Sequence, residues 1–161
     1  MNKIETIENQ LTLWLSVKRL DHSRRVADLA RNLAIIYQID PDHAYKAGLL
    51  HDIAKEQTPD SLKKLGINTD EFDNFWQDYM PVWHAFIAPE LIKVELHYIY
   101  EDVKDIIIYH TTGAPNMTRE AMALFIADFT EPDRDHPQVE EIRSIANISL
   151  EHAVEIGRAH V

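Results

Sequence analysis

Residues 21–55 read DHSRRVADLARNLAIIYQIDPDHAYKAGLLHDIAK. Val26, Leu29, Ala30, Leu33, Ile36 and Tyr37 recur at helical spacing, which predicts an amphipathic helix starting near Asp21. Asp40-Pro41 then offers an N-cap and a first-turn proline for another helix, expected to run to about Lys55. The same signals continue on both sides of this stretch. Upstream, Ile4, Ile7, Leu11, Trp14 and Leu15 define a first helix. Downstream, Thr58-Pro59 opens a short helix closed by Gly66, and Thr69–Tyr79 carries Phe72, Phe75, Trp76 and Tyr79 three and four apart. A further helix holds His84, Ile87, Ala88 and Leu91, with Pro89 leaving its start open. Asp102–His110 follows and stops at the turn 111–115. Thr118 caps a helix through Phe129, and a last helix after Pro137 includes Ile142, Ile145, Ile148 and Val154. An all-α, single-domain helical bundle over residues 1–161 is the expected fold.

Composition agrees. The chain has 161 residues, 45% hydrophobic and 27% charged, enough to bury roughly 70% of its unfolded surface in one domain. Only four glycines and no hairpin dipeptides argue against a sheet protein. The absence of cysteine excludes a disulfide scaffold, thiolate zinc sites and a cysteine nucleophile. Lys3, Glu5, Glu8, Lys18 and Arg19 interrupt the apolar positions of residues 1–20, so no signal peptide is expected. No run approaches the ~20 apolar residues of a bilayer span, and a cytoplasmic protein without a membrane partner is the expectation. A net charge of −11 opposes nucleic-acid binding at long range. It leaves room for a phosphorylated small molecule, because local cations outweigh a distant average.

The informative feature is where certain ionisable residues fall. His22 leads Val26 and Leu29 on the buried stripe of its helix. His51, with Asp52 beside it, follows Ala47 and Gly48; His84 leads Ile87, Ala88 and Leu91. His110 closes the series Val103, Ile106, Ile107, and Asp128 closes Ala121, Leu124, Phe125. An unpartnered polar group costs on the order of 2–7 kcal/mol to bury, and an isolated charge costs more. Any one of these taken alone reads more readily as a core histidine bonded to a carbonyl, or a capping or ion-paired aspartate. Five on separate helices point instead to a cation where the helices converge. His43, His97, His136, His152 and His160 are expected at the surface.

Neighbours on a helix point about 100° apart, so His51 and Asp52 share one ion only if it lies off the helix flank. His22 and Asp128 would complete the shell from facing helices. Two histidines and two carboxylates without thiolate suit Fe, Mn, Co, Ni or Mg better than structural zinc.

The order His22, His51-Asp52, Asp128 on a helical chain resembles the HD-domain superfamily of metal-dependent phosphohydrolases. His84 and His110 resemble the extra histidines of members whose six-residue set holds two metals. Four strings narrow the likeness: His22-Ser23-Arg24-Arg25-Val26, residues 48–55, His110-Thr111-Thr112-Gly113, and residues 127–134. Together they resemble the bacterial YqeK family of symmetrical diadenosine tetraphosphate hydrolases, which release two ADP. The likeness spans about residues 10–155, with an HD core at about 18–130. It implies iron ligands at His22, His51, Asp52 and Asp128. It implies catalytic roles for Asp52, Lys55, His84 and His110. Arg19, His51, Asp52, Ile53, Ala54, Lys55, His84, His110, Thr111 and Arg134 are its implied substrate-binding residues. Iron is the expected metal, with manganese, cobalt or another divalent ion as alternatives, and one ion is favoured over two. The implied partners are an adenylated dinucleoside polyphosphate and its ADP product; a homodimer is an open possibility. Family members usually run on through a further helix that touches the nucleotide, whereas this chain stops at Val161, so either a lowered nucleotide affinity or a truncated C-terminal helix is expected.

The chemistry needs an attacking hydroxide, relief of phosphoryl charge and a good leaving group. A metal lowers the pKa of water from 15.7 toward ~7 and orients a phosphoryl oxygen. Lys55 reads as a phosphate clamp or proton donor, or as a solvated lysine at a helix end. Arg134 reads as a fork for two phosphate oxygens, or as a surface ion pair with Glu131 or Asp135. Thr111-Thr112-Gly113 offers an anion nest or merely a helix stop. The aromatic group Phe72, Phe75, Trp76, Tyr79 and Trp83 reads first as core and second as a base pocket. Competing functions are an HD-type phosphohydrolase for another nucleotide, an iron oxygenase on the same ligands, and a nucleotide-binding regulatory module without turnover.

Overall fold

The computed structural model describes residues 3–97 and 100–161, and among these there are nine helices and no strand. They are α1 (Lys3–Trp14), α2 (Val17–Ile36), α3 (Pro41–Leu50), α4 (Pro59–Lys64), α5 (Asp73–Glu95), α6 (Tyr100–Ile107), α7 (Arg119–Thr130), α8 (Val139–Ala146) and α9 (Leu150–Arg158). The all-α reading holds. None of the helices is long and apolar enough to cross a membrane.

The central pair is α2 and α3. Their facing positions are small: Ala27, Ala30, Ala34, Ala44 and Ala47 are all fully buried. Gly48 makes the approach possible, since a Cβ there would lie 2.4 Å from Ala27 Cα and 2.8 Å from Ala27 N. The hairpin brings His22, five residues before Ala27, beside His51, three residues after Gly48; their ring centroids are 5.3 Å apart. Gly48→Ala should therefore destabilise the protein by about 3 kcal/mol, the upper part of the usual overpacking range, in a urea-unfolding measurement. A stability equal to wild type would mean that α2 and α3 can separate at little cost.

Helix boundaries differ from expectation where remote residues intervene. Helix α2 begins at Val17, four residues before Asp21, because Ser16 caps it by accepting from Arg19 N. Glu56 fixes that cap from 40 residues away: its carboxylate accepts from Ser16 N at 2.7 Å and from Ser16 Oγ at 2.8 Å. Helix α3 ends at Leu50 rather than Lys55, and the chain tightens into i→i−3 bonds (Ile53 N to Leu50 O, Lys55 N to Asp52 O). The expected last helix is two, parted at 147–149, where Ser149 caps α9 by accepting from His152 N. This break leaves Ile148 83% exposed while Ile142 and Leu150 are fully buried. Thr58, Gly66 (φ 78°) and Thr118 perform as their sequence positions suggest.

Helix α5 joins the two segments read separately. It kinks at Tyr79 (φ −134°, ψ 37°), next to the helix-breaking Pro81. The aromatic residues pack there on one another: Trp76 and Trp83 are 4.7 Å apart, Phe75 and Tyr79 5.0 Å. Trp83 is fully buried and its Nε1 donates to Phe72 O. The kink aims the following turn, with His84, at the centre of the bundle.

Candidate metal centre

Three helix ends and two helix interiors meet around Asp52. His22 comes from the middle of the first half of α2, His51 caps the C-terminus of α3, and Asp52 opens the tight turn after it. Asp128 comes from the last turn of α7, His84 from α5, and His110 from the turn after α6. His22, His51, Asp52, His84 and His110 are each buried, and the Asp128 side chain is 17% exposed.

Asp52 divides this cluster with its two oxygens. Oδ2 lies 3.7 Å from His22 Nε2 and 3.5 Å from His51 Nε2. Asp128 Oδ1 lies 3.1 Å and 3.7 Å from the same two nitrogens. Ligand atoms bound at about 2.0–2.2 Å to one ion stand roughly 3.0–3.5 Å apart, so this spacing fits a shared cation. The nitrogens themselves agree: His22 Nε2 and His51 Nε2 are buried and make no hydrogen bond. Uncompensated burial of such atoms is costly, and a cation would satisfy both.

Hydrogen bonds set the tautomers. His51 Nδ1 donates to Gly48 O at 2.7 Å and His110 Nδ1 to Ile107 O at 2.8 Å. A carbonyl only accepts, so Nδ1 carries the proton in both rings and Nε2 keeps its lone pair. His84 is opposite. Lys55 Nζ donates to its Nδ1 at 3.3 Å, which leaves Nε2–H to donate to Asp52 Oδ1 (3.0 Å) or to His110 Nε2 (3.1 Å). Lys55 also donates to Pro81 O, on the inner side of the α5 kink.

Electrostatics favour positive charge here. Burial works against ionising Asp52, but His51, His110 and His84 hold its carboxyl well below the usual carboxylate range. Burial likewise opposes Asp128, and the His22 and His51 imidazoles that face it hold it well below that range. The two carboxylates in turn raise His51 against the cost of its own burial. Burial pushes His84 down to about 4, which keeps it a neutral donor, and also lowers Lys55.

The structure brings His22, His51, Asp52, Lys55, His84, His110 and Asp128 together, with two arginines on the solvent side. Arg19 Nη1 donates to Asp52 Oδ2 at 2.8 Å; Arg134 donates to Asp128 Oδ1 at 3.0 Å and to Asp128 O at 2.9 Å. Arg134 thus pairs chiefly with Asp128, and stands 3.9 Å from Glu131. A cleft of about 350 Å³ opens there, lined by Lys18, Arg19, His22, Glu131 and Arg134 among others. Ile53 and Ala54 sit elsewhere. Both are fully buried in the hydrophobic core, so any contact they make with a substrate falls to their backbone. Thr111 is half-buried with its Oγ1 unpartnered, on the wall of a second cavity of about 680 Å³ shared with Thr112 and Met117. Of the remaining histidines, His136 is not a surface residue: it is half-buried and its Nε2 donates to Phe129 O.

Sequence reasoning missed Glu131 and Arg25 as parts of this centre. Glu131 is 2% exposed and its Oε1 stands 3.3 Å from His22 Nδ1; Arg25 Nε donates to Oε2 at 2.6 Å. The available signal was the shared spacing, since Arg25 follows His22 by three and Glu131 follows Asp128 by three.

A model of the HD domain family matches residues 19–133. The chain is 33% identical over 141 residues to the symmetrical bis(5'-nucleosyl)-tetraphosphatase of Bacillus subtilis, covering 87% of this chain and 75% of that protein. It is 35% identical over 133 residues to the protein of the same name from Staphylococcus aureus, covering 82% and 68%. Among solved structures, that of a predicted HD superfamily hydrolase involved in NAD metabolism from Clostridium acetobutylicum is similar, with a TM-score of 0.73 at 31% identity. That match covers 96% of this chain and 82% of the other.

Proposed function

The chain belongs to the HD-domain family, and we propose that it is a metal-dependent phosphohydrolase that cleaves diadenosine tetraphosphate symmetrically into two ADP. The observation that carries this reading is the convergence of His22, His51, Asp52 and Asp128, with two buried imidazole nitrogens left without partners. The match to symmetrical hydrolases over most of the chain supports the substrate. Residues 1–161 are read as one domain, a reading supported by the continuous core.

His22, His51, Asp52 and Asp128 would hold the ion. Iron is the proposed metal and manganese or cobalt the alternatives, because the donor set is nitrogen and oxygen without thiolate. A single ion is the reading favoured by the tautomers, since His84 turns an N–H rather than a lone pair toward Asp52. When bound, the ion supplies Lewis-acid charge at a phosphoryl oxygen and makes water nucleophilic at neutral pH.

The protein's own groups do the rest. Water attacks the second phosphorus from one adenosine and breaks the anhydride bond to the third, so ADP leaves and ADP remains. Arg19 and Arg134, at the mouth of the cleft, are placed to exchange part of their carboxylate contact for phosphate oxygens, two at a time. His110 and His84 face the inner side of Asp52, where they orient the phosphoryl group by hydrogen bonds. Lys55, hydrogen-bonded through His84 to this centre, can give its proton to the departing ADP oxygen.

Chromatography of a reaction on diadenosine tetraphosphate should show ADP as the sole nucleotide product. AMP together with ATP would reverse the assignment to an asymmetric hydrolase, and no turnover with iron, manganese or cobalt would leave a binding module. Diadenosine triphosphate should also be cut, to ADP and AMP, since attack needs only one ADP half in place.

A further inference from the structure

We propose that Glu131 is a positioning residue of the metal centre, holding His22 in the tautomer whose Nε2 lone pair faces Asp52 and Asp128. The proposal rests on the metal-dependent reading above.

The three histidines whose Nε2 atoms keep a lone pair need the proton on Nδ1, and they do not obtain it alike. His51 and His110 stand at helix ends, where the carbonyls of Gly48 and Ile107, three residues back, are within reach. His22 stands inside α2, where the carbonyls of the preceding turn are engaged in the helix ladder. Its proton acceptor must come from another element. Glu131 supplies it from just beyond α7, with Oε1 3.3 Å from His22 Nδ1.

The carboxylate is fixed for this task. Its Oε2 accepts from Arg25 Nε at 2.6 Å and from Asp133 N at 3.1 Å, and Arg25 is itself held by Asp133 at 3.1 Å. Burial opposes charge on Glu131, yet the Arg25 bond keeps its carboxyl below the ordinary value. An ionised carboxylate only accepts, so the ring nitrogen facing it carries the proton. The opposite tautomer has an obvious taker. Asp128 Oδ1 is 3.1 Å from His22 Nε2, and a proton there would fill the space between the ring and both metal carboxylates. Glu131 keeps the proton on the far side of the ring.

Glu131→Gln is the discriminating change. The two donors at Oε2 hold the amide oxygen where it is, so the new NH₂ faces His22 Nδ1 and demands a lone pair from it. Size and the Arg25 and Asp133 bonds are kept, while the tautomer is reversed. Cobalt(II) affinity, read from its visible absorption against a competing chelator, should fall by roughly 10–100-fold. The unfolding midpoint of the metal-free protein should stay at the wild-type value. In metal-free protein at pH about 8, above the ordinary imidazole range, ¹⁵N shifts of His22 should change from Nδ1–H to Nε2–H. Cobalt affinity within about twofold of wild type overturns the proposal, with or without a lowered unfolding midpoint. Wild-type His22 found as Nε2–H overturns it without any variant, so a misfolded variant leaves it testable. Failure of the wild type to bind cobalt, manganese or iron would instead overturn the metal-dependent reading.

Discussion

Replacing Asp52 with alanine is expected to remove bound metal and turnover together. Its two oxygens serve different neighbours: Oδ2 faces His22, His51 and Arg19, while Oδ1 faces His84 and His110. Alanine deletes a proposed ligand, the charge that offsets the ion and the acceptor for the inner histidines. Loss of several kcal/mol of charge stabilisation corresponds to a rate lower by on the order of 10³–10⁴. Elemental analysis should find well under one equivalent of metal in the variant. Near-wild-type activity with metal retained would count directly against the centre. Asp52→Asn is the companion variant, because it keeps the shape and leaves Arg19 an acceptor while removing the charge.

The second large effect separates one ion from two. His110→Ala is expected to retain the metal and lower turnover by ~10² or more, the usual worth of a positioned hydrogen-bond or proton partner. His84→Ala should behave alike and also remove one of the two acceptors of Lys55 Nζ, now held on His84 Nδ1 and Pro81 O. The basis is the proton wiring: Lys55 donates to His84, His84 Nε2–H is shared by Asp52 and His110, and His110 Nδ1–H goes to Ile107 O. Every nitrogen in that chain has a use without a second cation. A loss of one whole metal equivalent in either variant, with the helical circular dichroism intact, would overturn this reading, and a metal content lowered by about half would establish two ions instead.

Much of this centre is legible in the sequence. His22, His51, His84, His110 and Asp128 each sit on an apolar helix stripe, and burial is what periodicity reports. Their common meeting point followed from the cost of burying five ionisable groups without partners. The end of the His51 helix was less legible. Apolar spacing continues through Ile53 and Ala54, but the backbone changes to tight turns after Leu50, so both side chains enter the core. A resemblance to phosphohydrolases marks that whole strip as substrate-binding and cannot tell its side chains from its backbone.

What the sequence determined by itself is what neighbours in the chain decide: helices from apolar spacing, their starts from Thr58, Thr118 and Asp40-Pro41, and the stop at Gly66. Those features depend on bonds within one turn, so they can be read four residues at a time. Tertiary structure alone decided the rest. Glu56 reaches back 40 residues to start α2 at Val17, and Glu131 crosses 109 residues to meet His22. It also decided which oxygen of Asp52 faces which histidine. These depend on how closely helices approach, which the contact of Gly48 with Ala27 sets, and on hydrogen-bond partners that a helical register places without naming.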